Sequence, residues 1–190
     1  MKPRPLLLAG GAASRFGSQK LLADFRGVPL VAHAARRLAE GCGERVLAVV
    51  PLGAAALRQA LEPLGCEVLE SDRCALGLGG SLSAAVEASA PAAGWIVALG
   101  DMPRVPIEAI RAVARAVEEG AFIAAPVHDG RRGHPVGFSR DLYEELVALR
   151  EDVGARDVLR RHAARVVTFP TSDARIHLDI DTPDQLIDLD

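Results

Sequence analysis

Between residues 6 and 22 the sequence reads LLLAGGAASRFGSQKLL, in which an apolar run ends in a glycine pair and two basic residues follow. Gly10 and Gly11 predict a tight turn after a buried strand, because glycine accepts positive φ and lets a ligand approach bare backbone. Arg15 and Lys20 come next, with no acidic residue among them. Backbone N–H groups and unneutralised cations bind anions, so this turn is a candidate phosphate site. A surface turn with two solvated cations is the alternative.

Acidic residues at two distant positions are the second candidate for chemistry. Asp101 directly follows the apolar run WIVALG, which predicts a carboxylate at the carboxyl end of a central strand. Asp179 and Asp181 alternate with Ile180, so in an extended segment these two carboxylates share a face. Mg²⁺ usually takes one or two protein carboxylates and completes its octahedron with phosphate oxygens and water. Asp101 and a partner from the second segment are therefore candidate magnesium ligands, with helix capping or a turn as the alternative.

Alternating strands and helices must position these residues. Apolar runs of strand length occur at 5–9, 45–50, 66–70, 95–100, 122–127 and 165–169. Alanine-rich segments with helical periodicity separate the first five runs, at 29–40, 53–65, 81–90 and 106–120. The alternation predicts the α/β class, as a Rossmann-like three-layer α/β/α sandwich with a mostly parallel central sheet. Ligands of such sheets gather at the carboxyl ends of the strands.

Two further segments follow strands and are candidates for binding. GLGGSLSAAV, at 77–86, predicts a flexible loop that leads into a helix, with Gly80 or Ser81 near the cap. An ordinary glycine-rich connection is the alternative. HDGRRGHPVGF, at 128–138, predicts a turn-rich loop before a short strand, and two short helices come after it.

The composition limits the class of protein. A chain of 190 residues predicts one domain over 1–190, and a net charge of -3 argues against nucleic acid as a partner. The three cysteines lack CxxC spacing, which indicates neither a disulfide framework nor a structural zinc site. No apolar run approaches the roughly 20 residues of a membrane span. We therefore expect a cytoplasmic protein without a membrane partner.

Six segments in this order carry a resemblance to a known family: LAGGAASRFGSQKLL, GLGGSLSAAV, ALGDMP, RRGHPVGFS, EDVGARDVL and LDIDTPDQL. Together they resemble the molybdenum cofactor cytidylyltransferases, within the MobA-like NTP transferases of the nucleotide-diphospho-sugar transferase-like superfamily. The resemblance spans nearly the whole chain. The opening segment is typical of the superfamily, whereas RGHP and GAR are typical of the molybdopterin branch.

The resemblance implies a Mg²⁺-dependent nucleotidyltransferase that moves a nucleoside monophosphate from CTP to molybdopterin and releases pyrophosphate. A GTP-dependent guanylyltransferase, or a transferase for another small phosphorylated acceptor, is the alternative enzyme. A carrier module that binds nucleotide or molybdopterin without turnover is the alternative from another class. A molybdoenzyme or its chaperone is a candidate protein partner.

The resemblance also implies roles for individual residues. Arg15 would contact the leaving pyrophosphate, Lys20 would bridge towards the α-phosphate, and Asp101 would complete the catalytic set. Asp101 and Asp181 would hold the metal, with Asp179 in support. The implied nucleotide-binding residues are Leu8, Ala9, Gly10, Gly11, Ala12, Ser14, Arg15, Lys20, Gly79, Gly80 and Ser81. The implied acceptor-binding residues are Arg132, His134 and Arg156.

One departure concerns the base of the nucleotide. The cytidylyltransferases read L-A-A-G or T-A-A-G in the first loop, whereas this chain reads Leu8-Ala9-Gly10-Gly11, which is closer to the guanylyltransferases. The segments GDMP, RGHP and GAR point towards CTP, so both bases remain candidates.

Overall fold

A central β-sheet organises the part of the chain that the structure, a computed structural model, describes: residues 2–10, 20–150, 152 and 154–181. Its strands are β1 (Arg4–Leu8), β4 (Leu47–Pro51), β5 (Glu67–Ser71), β6 (Gly94–Leu99), β7 (Ile123–His128), β8 (Arg131–Arg132), β9 (Val136–Ser139) and β10 (Val166–Pro170). A separate small hairpin pairs β2 (Asp24–Phe25) with β3 (Val28–Pro29).

The strand order is β10-β7-β9-β6-β1-β4-β5, with β8 paired to β7. Strands β6, β1, β4 and β5 run parallel, and so do β7 and β10. Strand β9 lies between β6 and β7 and is antiparallel to both. The register pairs Val136 with Val97 and Ser139 with Gly94, so β9 starts near the carboxyl end of β6. The turn-rich loop before β9 therefore reaches the edge of the sheet at which the parallel strands end.

Helices cover both faces of the sheet. They are α1 (Leu30–Cys42), α2 (Ala55–Leu61), α3 (Leu78–Ala88), α4 (Ile107–Glu118), α5 (Tyr143–Val147) and α6 (Arg156–Arg161). Leu7 packs in one core cluster with side chains of α1, α2 and α4, while its neighbours Leu6 and Leu8 pack in another with side chains of α3, α5 and α6. This alternation follows from the two-residue period of a strand. The predicted three-layer α/β/α fold with a mostly parallel sheet is confirmed. None of the described helices is long and apolar enough to cross a membrane.

Two sequence-based expectations about helix ends are wrong. Helix α3 begins at Leu78 rather than at Gly80 or Ser81, because Gly77, at φ 84°, forms its N-cap. Gly80 lies within the helix, where a Cβ would come 2.2 Å from the Arg73 carbonyl oxygen. The helix at 29–40 runs on to Cys42 and is stopped by Gly43 in the left-handed conformation. Gly41, directly after the predicted segment, lies within the helix and packs against Ile110.

Candidate active site

The carboxyl ends of three parallel strands meet at one edge of the sheet. The Ala9 N–H donates to the Val49 carbonyl at 2.9 Å, and the Gly100 N–H donates to the Leu8 carbonyl at 2.9 Å. Asp101 follows Gly100 directly. The predicted position of Asp101 at the end of a central strand is thus what the structure has, and Leu8, Ala9 and Gly10 of the predicted phosphate turn lie beside it.

A segment from the end of the described chain brings two more carboxylates to this edge. The Ile180 N–H donates to the Asp101 carbonyl at 3.0 Å. The Ile180 side chain is buried in a small cluster with Phe25 and Leu30. Because side chains alternate in extended backbone, the anchoring of Ile180 leaves Asp179 and Asp181 exposed on either side of it.

Asp101, Asp179 and Asp181 form a three-carboxylate cluster, called the aspartate cluster below. One carboxylate oxygen of each lies within 4.8 Å of the others. An all-oxygen, anionic donor set matches the preference of the hard cations Mg²⁺ and Mn²⁺, which take carboxylates together with phosphate oxygens. The residues present therefore fit a divalent metal ion, with Asp101 and Asp181 as predicted ligands and Asp179 close enough to assist.

Lys20 lies against the aspartate cluster. Its Nζ donates to Asp181 Oδ1 at 2.7 Å and to Asp101 Oδ2 at 3.2 Å. The Lys20 side chain is only 9% exposed. Burial is the largest single influence and lowers the pKa of Lys20, but the hydrogen bonds and charges of Asp181 and Asp101 together outweigh it, so the pKa is raised. Lys20 therefore carries a positive charge at neutral pH.

A cavity of about 350 Å³ opens on the face of the sheet that carries α3 and α6. All three residues predicted to bind the acceptor line it: Arg132, His134 and Arg156. Leu8 and Leu78 line it as well, so the end of β1 and the start of α3 share this cavity with them. Both arginines are exposed, and neither forms an ion pair with any residue in the described ranges. The cavity thus combines an apolar wall with two cations.

His134 is uncharged at neutral pH. Burial lowers its pKa to about 4, although a hydrogen bond with the Val97 backbone and the charge of Asp179 oppose that shift. Its Nδ1 is buried and has no hydrogen-bond partner within the described residues. A neutral imidazole offers one N–H and one lone pair rather than a charge. It is thus suited to a polar neutral group of a ligand, whereas Arg132 and Arg156 are suited to an anion.

The start of helix α3 packs directly on the predicted phosphate turn. A Cβ at Gly10 would come 2.4 Å from Cys74 Sγ and 2.8 Å from Ser81 Oγ, so only glycine fits there without a shift. Ser81 is fully buried, and its hydroxyl donates to the Gly77 carbonyl at 3.0 Å. Gly79 and Gly80 are buried too. In this structure Ser81 packs close to Gly10, and its predicted contact with nucleotide stays a prediction.

Four of the predicted nucleotide-binding residues lie outside the part of the chain that the structure describes: Gly11, Ala12, Ser14 and Arg15. Their assignment to the triphosphate therefore remains an expectation from the sequence.

Two features of the site had no clear sequence signal. His177, which lies in none of the motifs of the sequence, is close enough to His134 to lower its pKa, and the His177 Nε2 is buried without a partner in the described part of the chain. Asp152 accepts a hydrogen bond from the Leu78 N–H at 3.2 Å and so caps α3 from a segment 74 residues away. Its place in EDVGAR, next to the predicted Arg156, is the signal that was available.

Comparison with known proteins identifies the family. Residues 5–166 match the family described as MobA-like NTP transferase domain, so the chain belongs to that family. The resemblance noted in the sequence and the prediction of a nucleotidyltransferase are thereby confirmed.

Individual relatives and solved structures are similar to this chain over nearly its whole length. The molybdenum cofactor guanylyltransferase of Rhizobium rhizogenes is 34% identical over 97% of this chain and 89% of its own length. The molybdenum cofactor cytidylyltransferase of Escherichia coli is 25% identical over 96% of this chain and 92% of its own. The crystal structure of Rv0371c from Mycobacterium tuberculosis superimposes with a TM-score of 0.86, at 24% identity over 99% of this chain and 98% of that one. A second structure of Rv0371c is a complex with manganese.

Proposed function

We propose that the protein transfers a nucleoside monophosphate from CTP or GTP to the phosphate of molybdopterin and releases pyrophosphate. An acceptor phosphate oxygen would form a bond to the α-phosphorus, and the bond between that phosphorus and the bridging oxygen of the β-phosphate would break. The observation that carries the proposal is the aspartate cluster beside the buried, charged Lys20. Both lie at the edge of the sheet where the parallel strands end and the predicted phosphate turn begins.

Asp101 and Asp181 would hold a divalent metal ion, with Asp179 in support. The ion, when bound, would stabilise negative charge on the phosphates. Lys20, which remains protonated beside the cluster, would bind the α-phosphate. The turn that starts at Gly10 would provide backbone N–H groups for the triphosphate. Positioning and charge would account for most of the rate enhancement, as in phosphoryl transfer generally.

The cavity beside the cluster supports a phosphorylated heterocycle as acceptor. Arg132 and Arg156 would pair with its phosphate, and the uncharged His134 would hydrogen-bond a neutral edge of the ring system. The apolar wall from Leu8 and Leu78 suits a flat ring. These roles suit molybdopterin, the organic part of the molybdenum cofactor, which appears in the names of the relatives from R. rhizogenes and E. coli.

Two observations favour different bases. The segments GDMP, RGHP and GAR resemble the cytidylyltransferases and favour CTP. The first loop, Leu8-Ala9-Gly10-Gly11, and the 34% identity to a guanylyltransferase favour GTP. Either base is compatible with the roles proposed for Lys20 and the aspartate cluster, which concern phosphates and metal.

The test is pyrophosphate release by the purified protein with CTP, GTP, ATP or UTP, with and without molybdopterin, in Mg²⁺ and in Mn²⁺. We expect release with CTP or GTP that depends on both molybdopterin and metal. Pyrophosphate release with a sugar 1-phosphate in place of molybdopterin would show that the acceptor belongs to a different class of compound. Failure to release pyrophosphate from any triphosphate, with a molybdopterin preparation that a known transferase accepts, would refute the proposal.

A further inference from the structure

Lys20 occupies a position at the aspartate cluster that a metal ion also requires. Its ammonium is within hydrogen-bond distance of one carboxylate oxygen of Asp101 and one of Asp181, the two predicted metal ligands. The three carboxylates are close enough together to repel one another, and a cation among them reduces that repulsion. In the structure, the lysine ammonium is such a cation.

We propose that Lys20 is the built-in counter-ion of the aspartate cluster and competes with a free divalent ion for it, so that metal binds tightly only together with nucleotide. This inference rests on the proposed function, in which the cluster serves a metal–nucleotide complex. It assigns Lys20 a second role, in the state without nucleotide, in addition to contact with the α-phosphate.

The competition follows from charge and geometry. A divalent ion that binds Asp101 and Asp181 must displace two charge-assisted hydrogen bonds or accept a positive charge close by. Because the Lys20 side chain is 9% exposed, its charge is screened less than that of a lysine on the surface. A triphosphate changes this competition. Its negative charge gives the Lys20 ammonium another partner, and its oxygen atoms give the metal additional ligands. Metal and nucleotide must then favour each other's binding to the same extent.

The test measures Mn²⁺ affinity by electron paramagnetic resonance of the free ion, on the full chain without nucleotide. Lys20→Met and Lys20→Gln remove the charge, and Lys20→Arg keeps it. We expect both neutral variants to bind Mn²⁺ on the order of tenfold more tightly than the wild type, with the arginine variant close to wild type. Adding an α,β-methylene analogue of CTP or GTP should tighten Mn²⁺ binding more in the wild type than in the neutral variants.

Controls make the result specific to the cluster. Lys2→Met removes another lysine, which pairs with Glu44 at 3.3 Å away from the site, and should leave Mn²⁺ affinity unchanged. Adding Asp101→Asn to Lys20→Met should abolish the gain. Circular dichroism and thermal melting identify any variant that does not fold. If Lys20→Met or Lys20→Gln does not fold, the other one is compared with the wild type.

The outcomes separate this inference from the proposed function. Mn²⁺ affinity in the neutral variants equal to or weaker than in the wild type would overturn the inference, even if the wild type releases pyrophosphate. Undetectable Mn²⁺ binding in every variant would overturn it as well. The Mn²⁺ titration requires no turnover, so a failure of the pyrophosphate assay alone would count against the proposed function and leave this result standing.

Discussion

The backbone N–H of Ile180 donates a hydrogen bond to the carbonyl oxygen of Asp101, at 3.0 Å. This bond joins the end of strand β6 to a segment that follows the whole sheet in sequence. The two residues that flank Ile180, Asp179 and Asp181, are thereby held beside Asp101. The aspartate cluster therefore depends on a backbone contact as much as on the acidic side chains.

Replacing Asp101 by asparagine should abolish turnover while nucleotide binding is partly retained. The amide is close in shape to the carboxylate but lacks the charge that a metal ion requires. We expect pyrophosphate release to fall on the order of 100-fold or more. Asp141→Asn, on the exposed surface, is the control and should retain activity. Wild-type turnover in Asp101→Asn would exclude a metal-binding role for this residue.

Ile180→Ala should destabilise the fold and weaken metal binding at the same time. The Ile180 side chain is 2% exposed in its cluster with Phe25 and Leu30, so truncation should lower the free energy of unfolding by about 2–5 kcal/mol. Loss of the anchor should also raise the Mn²⁺ dissociation constant, because Asp179 and Asp181 lose their fixed position. Urea denaturation and Mn²⁺ titration measure the two effects. Val167→Ala, at a 43% exposed position, should change neither.

Gly10→Ala should be destabilising through contacts with Cys74 and Ser81. The added Cβ would lie 2.4 Å from Cys74 Sγ, so neighbouring groups must shift, at a cost of about 1–3 kcal/mol. In a Cys74→Ala background the same change should cost less, because the nearest atom is gone. A double-mutant cycle on the free energy of unfolding tests this coupling. Equal costs in the two backgrounds would show that Cys74 does not restrict Gly10.

The depressed pKa of His134 should give the protein a defined pH dependence. Its pKa in the folded protein is about 4, against an ordinary value of 6.5. The unfolded chain therefore takes up a proton first as the pH falls, so the contribution of His134 to stability is complete above pH 6.5 and is lost between pH 6.5 and 4.

Urea denaturation at several pH values tests whether stability falls with pH in this way. The free energy of unfolding of the wild type should decline over that interval more steeply than that of His134→Gln. An NMR titration of the His134 ring should give a midpoint near 4. Parallel pH profiles for the two proteins would contradict the assignment.

The sequence predicts the layers of this fold well because periodicity is a local property. The predicted strands and most predicted helices lie within a few residues of their observed bounds. The observed start of α3 is earlier than the predicted one because glycines and serine at 79–81 usually indicate a loop, whereas here they are buried, Ser81 beside Gly10 and Gly80 beside the Arg73 carbonyl. The antiparallel direction of β9 depends on its insertion between β7, which is close in sequence, and β6, which is distant, and no local pattern records the pairing with β6.

The site was predictable in its residue types but not in all its contacts. Asp101, Asp179 and Asp181 were predicted as neighbours, and the structure brings them together. Lys20 was expected towards a phosphate, and in the structure its contacts are to carboxylates, because a buried ammonium must find the nearest negative charge. His177 was not found because its proximity to His134 arises from a backbone hydrogen bond between His134 and Ile176.

The reversed direction of β9 has an evolutionary consequence. Because β9 begins near the carboxyl end of β6, the loop that carries Arg132 and His134 comes to the cavity from a different strand than the loops that carry Gly10 and Asp101. Substitutions at the exposed Arg132 can alter the cavity without moving the aspartate cluster, whereas the His134 backbone is bonded to Ile176, in the segment that leads to Asp179. A lineage with this architecture can thus acquire a new acceptor while its triphosphate chemistry is inherited intact.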